Sequence, residues 1–588
     1  MREDAGLAAV VIAAGYSSRM GRLKPLLPLG RSTVLKEAVN CFRDAGIRNV
    51  TVVLGHMAEA IVPVLEDLGV RWVKNNRYHM GMLTSILAGM NSLGADVEAF
   101  FLLPVDTPLV RPATVRAIIH TYRMNPGRIV YPRFRGLRGH PPLVPAGLVP
   151  ADLPPDYEGG LKAFLDGLED CASDVDVVDR GVAMDCDTPG EYDQVRNAFL
   201  TKGIPVREEC RAAWDLFHVS EETRAHCALV ARVAGLLAFE LNRAGVCLNH
   251  VLIEAAGLLH DIVRQQPNHA AAGARLLEEL GFPDVAKIVE RHMDHNLRDA
   301  PLDETDLVYL ADKCVSGDKV VLLEERFENA GRRFSGNPEA AAAVSRRLIV
   351  AETLRDRFEN ATGISLERFL HRCGNEGPSA AAAEKKDVYL VRHGAIALPA
   401  GGRRFIGQTD VPLSDEGIRQ ACKLKEALRC AELSAVYCSD LLRCVETARI
   451  VAEPHGIAPI SEARLREIFL GQWEGLAFDE VSARYPEEYR ARGLDMVNYR
   501  PPGGESFMDC ARRALPAFFD ILGAEEGNVL VVGHAGVNRI LLCRTMGISL
   551  ARLFEIEQSY GCLNVIRFND FRFEVKLVNA APPLPLPV

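Results

Sequence analysis

The sequence predicts a chain of several domains in the order α/β, all-α, α/β. Up to about residue 200, short β-branched or aromatic runs such as "NVTVVLG" and "AFFLLPVD" alternate with helical patterns. From about 216 to 371, apolar residues recur at helical spacing and strand patterns vanish. The stretch "RCGNEGPSAAAAEKK", residues 372–386, has linker composition with no apolar period, and the strand-like "DVYLV" follows at once. The boundaries expected are 1–203, 204–371, a linker over 372–386, and 387–588 with a Pro-rich tail, "APPLPLPV", outside any core.

Length agrees, because 588 residues exceed what one hydrophobic core organises. A composition of 48% hydrophobic and 25% charged residues is that of a globular enzyme. The net charge of −10 argues against a nucleic-acid binder, so small anionic substrates need local basic pockets. No membrane span and no secretory leader are read, and the 15 cysteines, none in a CxxC pair, read as reduced thiols. The expectation is a cytoplasmic protein without nucleic-acid or membrane partners.

In the first segment "VVIAAG" reads as a buried parallel strand, "YSSRMGRLKP" as the loop after it, and "STVLKEAVNCFRDAG" as a helix capped by Ser32 or Thr33. Small residues and cations at the carboxyl end of a first strand suit a phosphate-bearing ligand. Each residue also has a plain structural role open to it: Asp106 capping a turn, Asp187 starting the "TPGEY" helix, Lys24 as a solvated charge. The loop resembles the A-A-G-x-S-x-R-M-G-x-x-K signature of nucleotidyltransferases of the molybdenum-cofactor cytidylyltransferase type, carried by Ala13, Ala14, Gly15, Ser17, Arg19, Met20, Gly21 and Lys24. The resemblance implies a Rossmann-like fold, base and ribose recognition near Gly81 and Ser85, and an acceptor-side segment in "RGLRGHPPLVP". It also implies Mg²⁺ between Asp106 and the Asp185/Asp187 pair, with Asp106 and Asp187 as ligands and Lys24 beside the triphosphate. In the resembled family a second alanine, as at Ala14, goes with cytidine nucleotides where guanylyltransferase relatives carry glycine, so the resemblance implies CTP, with a phosphorylated small molecule such as molybdopterin as the acceptor.

The middle segment reads as a helical bundle. His226, the adjacent His260 and Asp261, and Asp312 interrupt its aliphatic stripes, and a shared divalent cation would satisfy all four. The H…HD…D pattern, with "LLHD" and "LADK", resembles the HD superfamily of metal-dependent phosphohydrolases, which implies Mn²⁺, Fe or Zn²⁺. His269, His292 and His295 either complete a second metal site or assist, and Arg264 stands where many relatives carry lysine, so anion recognition is expected there.

In the last segment strands run into Arg392, His393 and Gly394 and into His534, Arg443 lies in the first turn of a helix, and "LREIFLGQWEG" supplies Glu467. The set resembles the histidine phosphatase superfamily, in its ribazole phosphatase and phosphoglycerate phosphatase branch. The resemblance implies a phosphohistidine at His393, charge neutralisation by Arg392, Arg443 and His534, and Glu467 as the acid that protonates the leaving alkoxide. No metal is expected for that step, and small phosphate monoesters are the expected substrates. "RHGAI" replaces the usual RHGE[ST], and "LPAGGRR" lengthens the following loop.

The joint expectation is a multifunctional enzyme, with Mg²⁺-dependent nucleotidyltransferase, HD phosphohydrolase and phosphomonoesterase parts. Two alternatives stand beside it: a cobalamin nucleotide-loop transferase joined to a ribazole phosphatase, or one working transferase with regulatory HD and phosphatase-like segments.

Overall fold

The computed structural model describes residues 6–150, 153–375, 385–398, 404–569 and 571–582. The expected tail beyond 582, most of the expected linker and the lengthened loop over 399–403 lie outside the described residues. The chain divides into two compact units, residues 1–219 with 274–286, and residues 220–273 with 287–588.

The first unit is built on an eight-stranded mixed sheet. Its central strand, Leu7–Ala13, is seven small and aliphatic residues buried throughout, as a parallel strand covered on both faces requires. It pairs in parallel with Val50–Leu54 on one side and Ala99–Pro104 on the other. The connections from this strand and from its neighbour therefore diverge, leaving a crevice at their carboxyl ends, which the loop after Ala13 and the turn at Asp106 border. Thr33 is the N-cap of helix Val34–Arg43, accepting from the Lys36 amide at 3.2 Å. Helix Pro189–Leu200 is capped by Thr188 and Glu191 in a reciprocal box, so Asp187 lies outside the helix and its carboxylate is not consumed as the cap.

In the second unit, helices Glu221–Arg243, His250–Leu259, Glu304–Lys313 and Pro338–Thr362 pack into a bundle. Glu221–Arg243 has the length and composition of a membrane span, contrary to expectation, but most of its apolar surface is buried inside the bundle. The segment is not wholly helical: Val315–Ser316 and Lys319–Val320 form a small hairpin around Gly317. A six-stranded sheet follows, ordered Ile460–Ser461, Leu433–Cys438, Asn528–Gly533, Lys386–Arg392, Leu563–Asn569, Arg572–Ala580. The first four strands run parallel and the last two antiparallel.

The expected linker is partly structured at both ends. Helix Leu366–Asn375 runs into it, and Lys386 already belongs to the first strand of the sheet. The lysine reads as linker because it is charged, yet its ammonium is buried and donates to the carbonyls of Leu522 and Glu525.

Bundle and sheet share a core. The Phe239 ring lies 5.2, 5.9 and 5.0 Å from those of Phe519, Phe568 and Phe571, and His250 lies 5.3 Å from Phe519 and 5.6 Å from Phe573. Ion pairs Arg243–Asp520 (3.3 Å) and Arg572–Glu254 (2.9 Å) flank this seam.

Candidate active sites

The parallel strands Lys386–Arg392 and Asn528–Gly533 end side by side, with Arg392 opposite Gly533, so the next residues, His393 and His534, emerge together. Their ring centroids are 5.2 Å apart, and both rings are buried. Gly394 permits this turn, since a Cβ there would lie 2.3 Å from the Gly417 carbonyl oxygen. His393 Nδ1 donates to the Gly394 carbonyl at 2.8 Å, which leaves the Nε2 lone pair free. Burial, then the Arg392 and Arg443 charges, hold the His393 imidazole well below its ordinary pKa, and it stays neutral.

Arg443, 2% exposed in the first turn of helix Leu442–Ala452, donates to the carbonyls of Thr409 and Gly407 at 2.8 Å and through Nε to His534 Nδ1 at 3.3 Å. That fixes the His534 tautomer with its proton on Nε2, 2.9 Å from Ser439 Oγ. Arg392 packs against the Tyr560 ring, its guanidinium carbon 3.7 Å from the centroid, and donates to the Gln558 carbonyl. The Glu467 carboxylate accepts from the amides of Gly536 and Ile468, each at 3.0 Å. His393, Arg392, Arg443 and Glu467 line one cavity of about 390 Å³, large enough for a small phosphate ester.

In the bundle, His226 sits in the second turn of its helix, His260 caps helix His250–Leu259, and Asp312 lies near the end of Glu304–Lys313. The structure brings all of them to Asp261. One Asp261 oxygen lies 4.0 Å from His226 Nε2 and 3.6 Å from His260 Nε2; the other lies 3.2 Å from His269 Nε2 and 3.5 Å from His292 Nε2. Asp312 reaches His226 at 3.2 Å and His260 at 3.7 Å.

Two ligand triads thus share the Asp261 carboxylate, His226–His260–Asp261 and Asp261–His269–His292. Burial raises the Asp261 pKa, but His260 and the hydrogen bonds from His269 and His292 outweigh it and keep the group ionised. Among the described residues His260 Nε2 is buried without a hydrogen-bond partner, and burial lowers its pKa to about 4, so it presents a lone pair to the cluster. An orphaned imidazole nitrogen among ionised carboxylates is a donor set that a divalent transition metal fits.

Two residues differ from expectation. His295 turns to Asp306, at 2.5 Å, away from the shared carboxylate. Arg264, expected to await an anion, is paired with Asp261 at 2.7 Å, because the turn after helix His250–Leu259, closed by the Arg264 amide on the Asp261 carbonyl, brings the two side chains together.

In the first unit, Ser17 takes a left-handed conformation (φ 54°) and its carbonyl accepts from the amides of Met20 and Gly21, folding "SRMG" into a tight turn anchored by buried Met20. Ala13 and Ala14 are buried at the strand end, whereas a Cβ on Gly15 would meet nothing within 4 Å, so the main chain is open there. Lys24 binds Asp187, lies 3.7 Å from Asp106, and Arg19 pairs with Asp187 at 3.1 Å. Burial lowers the Lys24 pKa, but the bond to Asp187 and the Asp106 charge prevail and raise it. Two carboxylates converging on one cation position, with only oxygen donors, fit Mg²⁺ by type.

Gly81 (φ 113°) is the N-cap of helix Met82–Asn91, and Tyr78 ties that segment to the loop, 5.4 Å from Tyr16. The Ser85 hydroxyl is buried and engaged by Asn75 at 2.9 Å, in the helix interior and not on the open crevice.

Arg492 was not found from the sequence. It sits in "YRAR" on helix Pro486–Leu494, a pattern indistinguishable from a solvated helix, yet it lines the His393 cavity.

The chain matches the histidine phosphatase superfamily (branch 1) over residues 388–581, the MobA-like NTP transferase domain over 9–177 and the HD domain over 223–317. It is 31% identical over 199 residues to the adenosylcobalamin/alpha-ribazole phosphatase of Salmonella typhimurium, covering 33% of this chain and 96% of that protein. It is 32% identical over 179 residues to 2,3-bisphosphoglycerate-dependent phosphoglycerate mutase 2 of Gloeobacter violaceus, covering 29% of this chain and 81% of the other. Among solved structures, the alpha-ribazole phosphatase of Shigella flexneri aligns over 33% of this chain and 96% of its own, at 27% identity and a TM-score of 0.32.

Proposed function

We infer that this chain, which belongs to the histidine phosphatase superfamily through its last segment and joins to it a MobA-like NTP transferase domain and an HD domain, is a multifunctional enzyme of phosphate-ester metabolism. The observation that carries the phosphatase reading is the His393 tautomer: Nδ1 is spent on a main-chain carbonyl, so the nucleophilic nitrogen is Nε2.

In this reading Nε2 attacks phosphorus and the ester oxygen leaves, giving a phosphohistidine that water then hydrolyses. Arg392 and Arg443 neutralise the equatorial oxygens, Arg443 being already oriented by two carbonyls, whereas His534, whose Nε2 proton faces Ser439, departs from the expected role and acts by accepting from the Arg443 Nε–H. Glu467, clamped by two amides, protonates the leaving oxygen and later takes the proton from water.

In the HD domain, His226, His260, Asp261, Asp312, His269 and His292 would hold divalent transition metal, which polarises phosphoryl oxygens. In the transferase domain, Asp106 and Asp187 would hold Mg²⁺ once Lys24 turns to the triphosphate, with the main chain at Gly15 and Arg19 beside the phosphates. CTP and a phosphorylated acceptor such as molybdopterin are the substrates proposed, in the cytoplasm.

A second reading, a cobalamin nucleotide-loop enzyme, is favoured by the ribazole phosphatase named among the relatives. Incubating the full chain with each labelled nucleoside triphosphate and either molybdopterin or a cobinamide phosphate separates the two. Transfer of CMP to the pterin supports the first, and transfer of any nucleotide to the cobinamide supports the second.

A further inference from the structure

In the bundle cluster the main chain sets the direction of the imidazoles. His226 Nδ1 donates to the Gly317 carbonyl at 3.1 Å, His260 Nδ1 to Gly257 at 2.9 Å and His292 Nδ1 to Val289 at 2.7 Å, so each ring presents Nε2 to the carboxylates. A carboxylate has no such second face, and its two oxygens are equivalent until a partner distinguishes them.

For Asp312 that partner is Lys313. Oδ1 of Asp312 lies 3.2 Å from His226 Nε2 and 3.7 Å from His260 Nε2, while Oδ2 accepts from the Lys313 ammonium at 2.6 Å. Adjacent residues of a helix do not face each other, so this pair is not the default product of their spacing. The ammonium is held from two further sides: it donates to the His292 carbonyl at 3.2 Å and lies 4.7 Å from the centroid of the Tyr309 ring. Tyr309 is fully buried, and its hydroxyl donates to the Arg347 carbonyl at 3.2 Å.

Lysine is seldom buried unless paired, and Lys313 is only 5% exposed, its donors directed at a carboxylate, a carbonyl and a ring face. Arg264 on Asp261 differs: half of that side chain is exposed, and it can exchange the carboxylate for water. Lys313 is enclosed and stays with Asp312.

We propose that Lys313 is a positioning residue for the divalent metal of the HD domain: it occupies Asp312 Oδ2, so that Asp312 meets the metal through Oδ1 alone, beside His226 and His260. The inference rests on the metal reading given above and adds a residue to it. A carboxylate held to one oxygen takes one coordination place, which keeps another open for a phosphoryl oxygen. The bond to the His292 carbonyl fixes that arrangement relative to the second triad.

The test strips the full chain with chelator and titrates it with Mn²⁺ or Co²⁺ alone, so that binding is read and not turnover. Lys313→Met should weaken metal binding about tenfold to hundredfold, the usual effect of removing a partner of a ligand, and Lys313→Arg, which keeps a cation, should restore part of it. The visible absorption of bound Co²⁺ should also change in Lys313→Met, because freeing Oδ2 alters the coordination number. In an Asp312→Asn background, Lys313→Met should add little, since the carboxylate it orients is already gone. This doubly substituted chain leaves neither charge buried alone, so the comparison with Asp312→Asn stands even if Lys313→Met by itself does not fold.

Metal affinity and Co²⁺ spectrum unchanged in Lys313→Met, or the same loss whether or not Asp312 is replaced, overturns the inference and leaves the metal site standing. Failure of the wild-type chain to bind either ion overturns the metal reading, and the inference with it.

Discussion

His250 makes the joint core of the second unit acid-sensitive. Its ring lies between Phe519 and Phe573, 5% exposed, and among the described residues neither nitrogen has a hydrogen-bond partner. Burial, helped by the facing Arg544 charge, lowers its pKa from 6.5 to about 3. A base whose pKa falls on folding is neutral in the fold and protonates first in the unfolded chain. Its stabilising contribution is therefore complete above pH 6.5 and is lost progressively as pH falls toward about 3.

Integrating that linkage from about pH 7.5 to about pH 5.5 gives a loss of about 1.4 kcal/mol from this one residue. Other buried histidines of the unit, His260 among them, add their own dependence, so the measurement must be a difference. His250→Phe keeps an aromatic ring in the seam and removes the titration. Urea unfolding followed by Trp473 fluorescence, with Trp72 and Trp214 replaced by Phe, reports on this unit alone. The stability difference between the His250 protein and the variant should shift by about 1.4 kcal/mol over those two pH units, in favour of the variant at low pH. A difference that stays flat across the window refutes the buried neutral imidazole.

Hydrolysis of an aryl phosphate should persist in excess chelator and vanish in His393→Ala, with a ³²P label trapped on His393 in wild type; chelator-sensitive turnover that survives the substitution assigns it to the HD domain. Glu467→Gln should slow alkyl esters far more than aryl ones, because a good leaving group needs little protonation; equal slowing contradicts its role as acid. Elemental analysis of the full chain should find bound transition metal that Asp261→Ala abolishes, since that carboxylate is common to both triads; full occupancy in the variant removes Asp261 from the site. Asp106→Ala should abolish nucleotidyl transfer and retain phosphatase turnover, the two sites lying on separate sheets; normal transfer with Mg²⁺ present would exclude Asp106 as a ligand.

The order of folds was legible because strands and helices carry different periods, and the families because two of their motifs fall at strand ends and the third interrupts aliphatic helix stripes with His and Asp. Arg392, His393 and Gly394 are contiguous, and a strand that stops there can place them in only one way relative to the sheet. What escaped depends on partners distant in the chain. Nothing local in "NHVLIEAAG" says that His250 meets an aromatic ring 269 positions later, or in "YRAR" that Arg492 faces a cavity. Lys386 looked like linker because charge is read as solvent exposure, and its two carbonyl acceptors lie more than 130 residues away. His295 and Arg264 share composition and neighbourhood with true members of the cluster, and only side-chain direction separates them from it.

The aromatic seam limits how this enzyme can be taken apart. Phe239 on one side and Phe519 and Phe568 on the other are each nearly inaccessible, and uncovering such rings costs about 1.5–3 kcal/mol apiece. A gene cut at the stretch between 375 and 385 would release two fragments with complementary greasy faces, each prone to clump or to find the other. Dissection of the roles of the HD and phosphatase domains therefore belongs to point substitutions in the undivided polypeptide. For the lineage that carries it the fusion works as a ratchet: once these faces had met, separating the genes would demand new polar surfaces on both products at the same time.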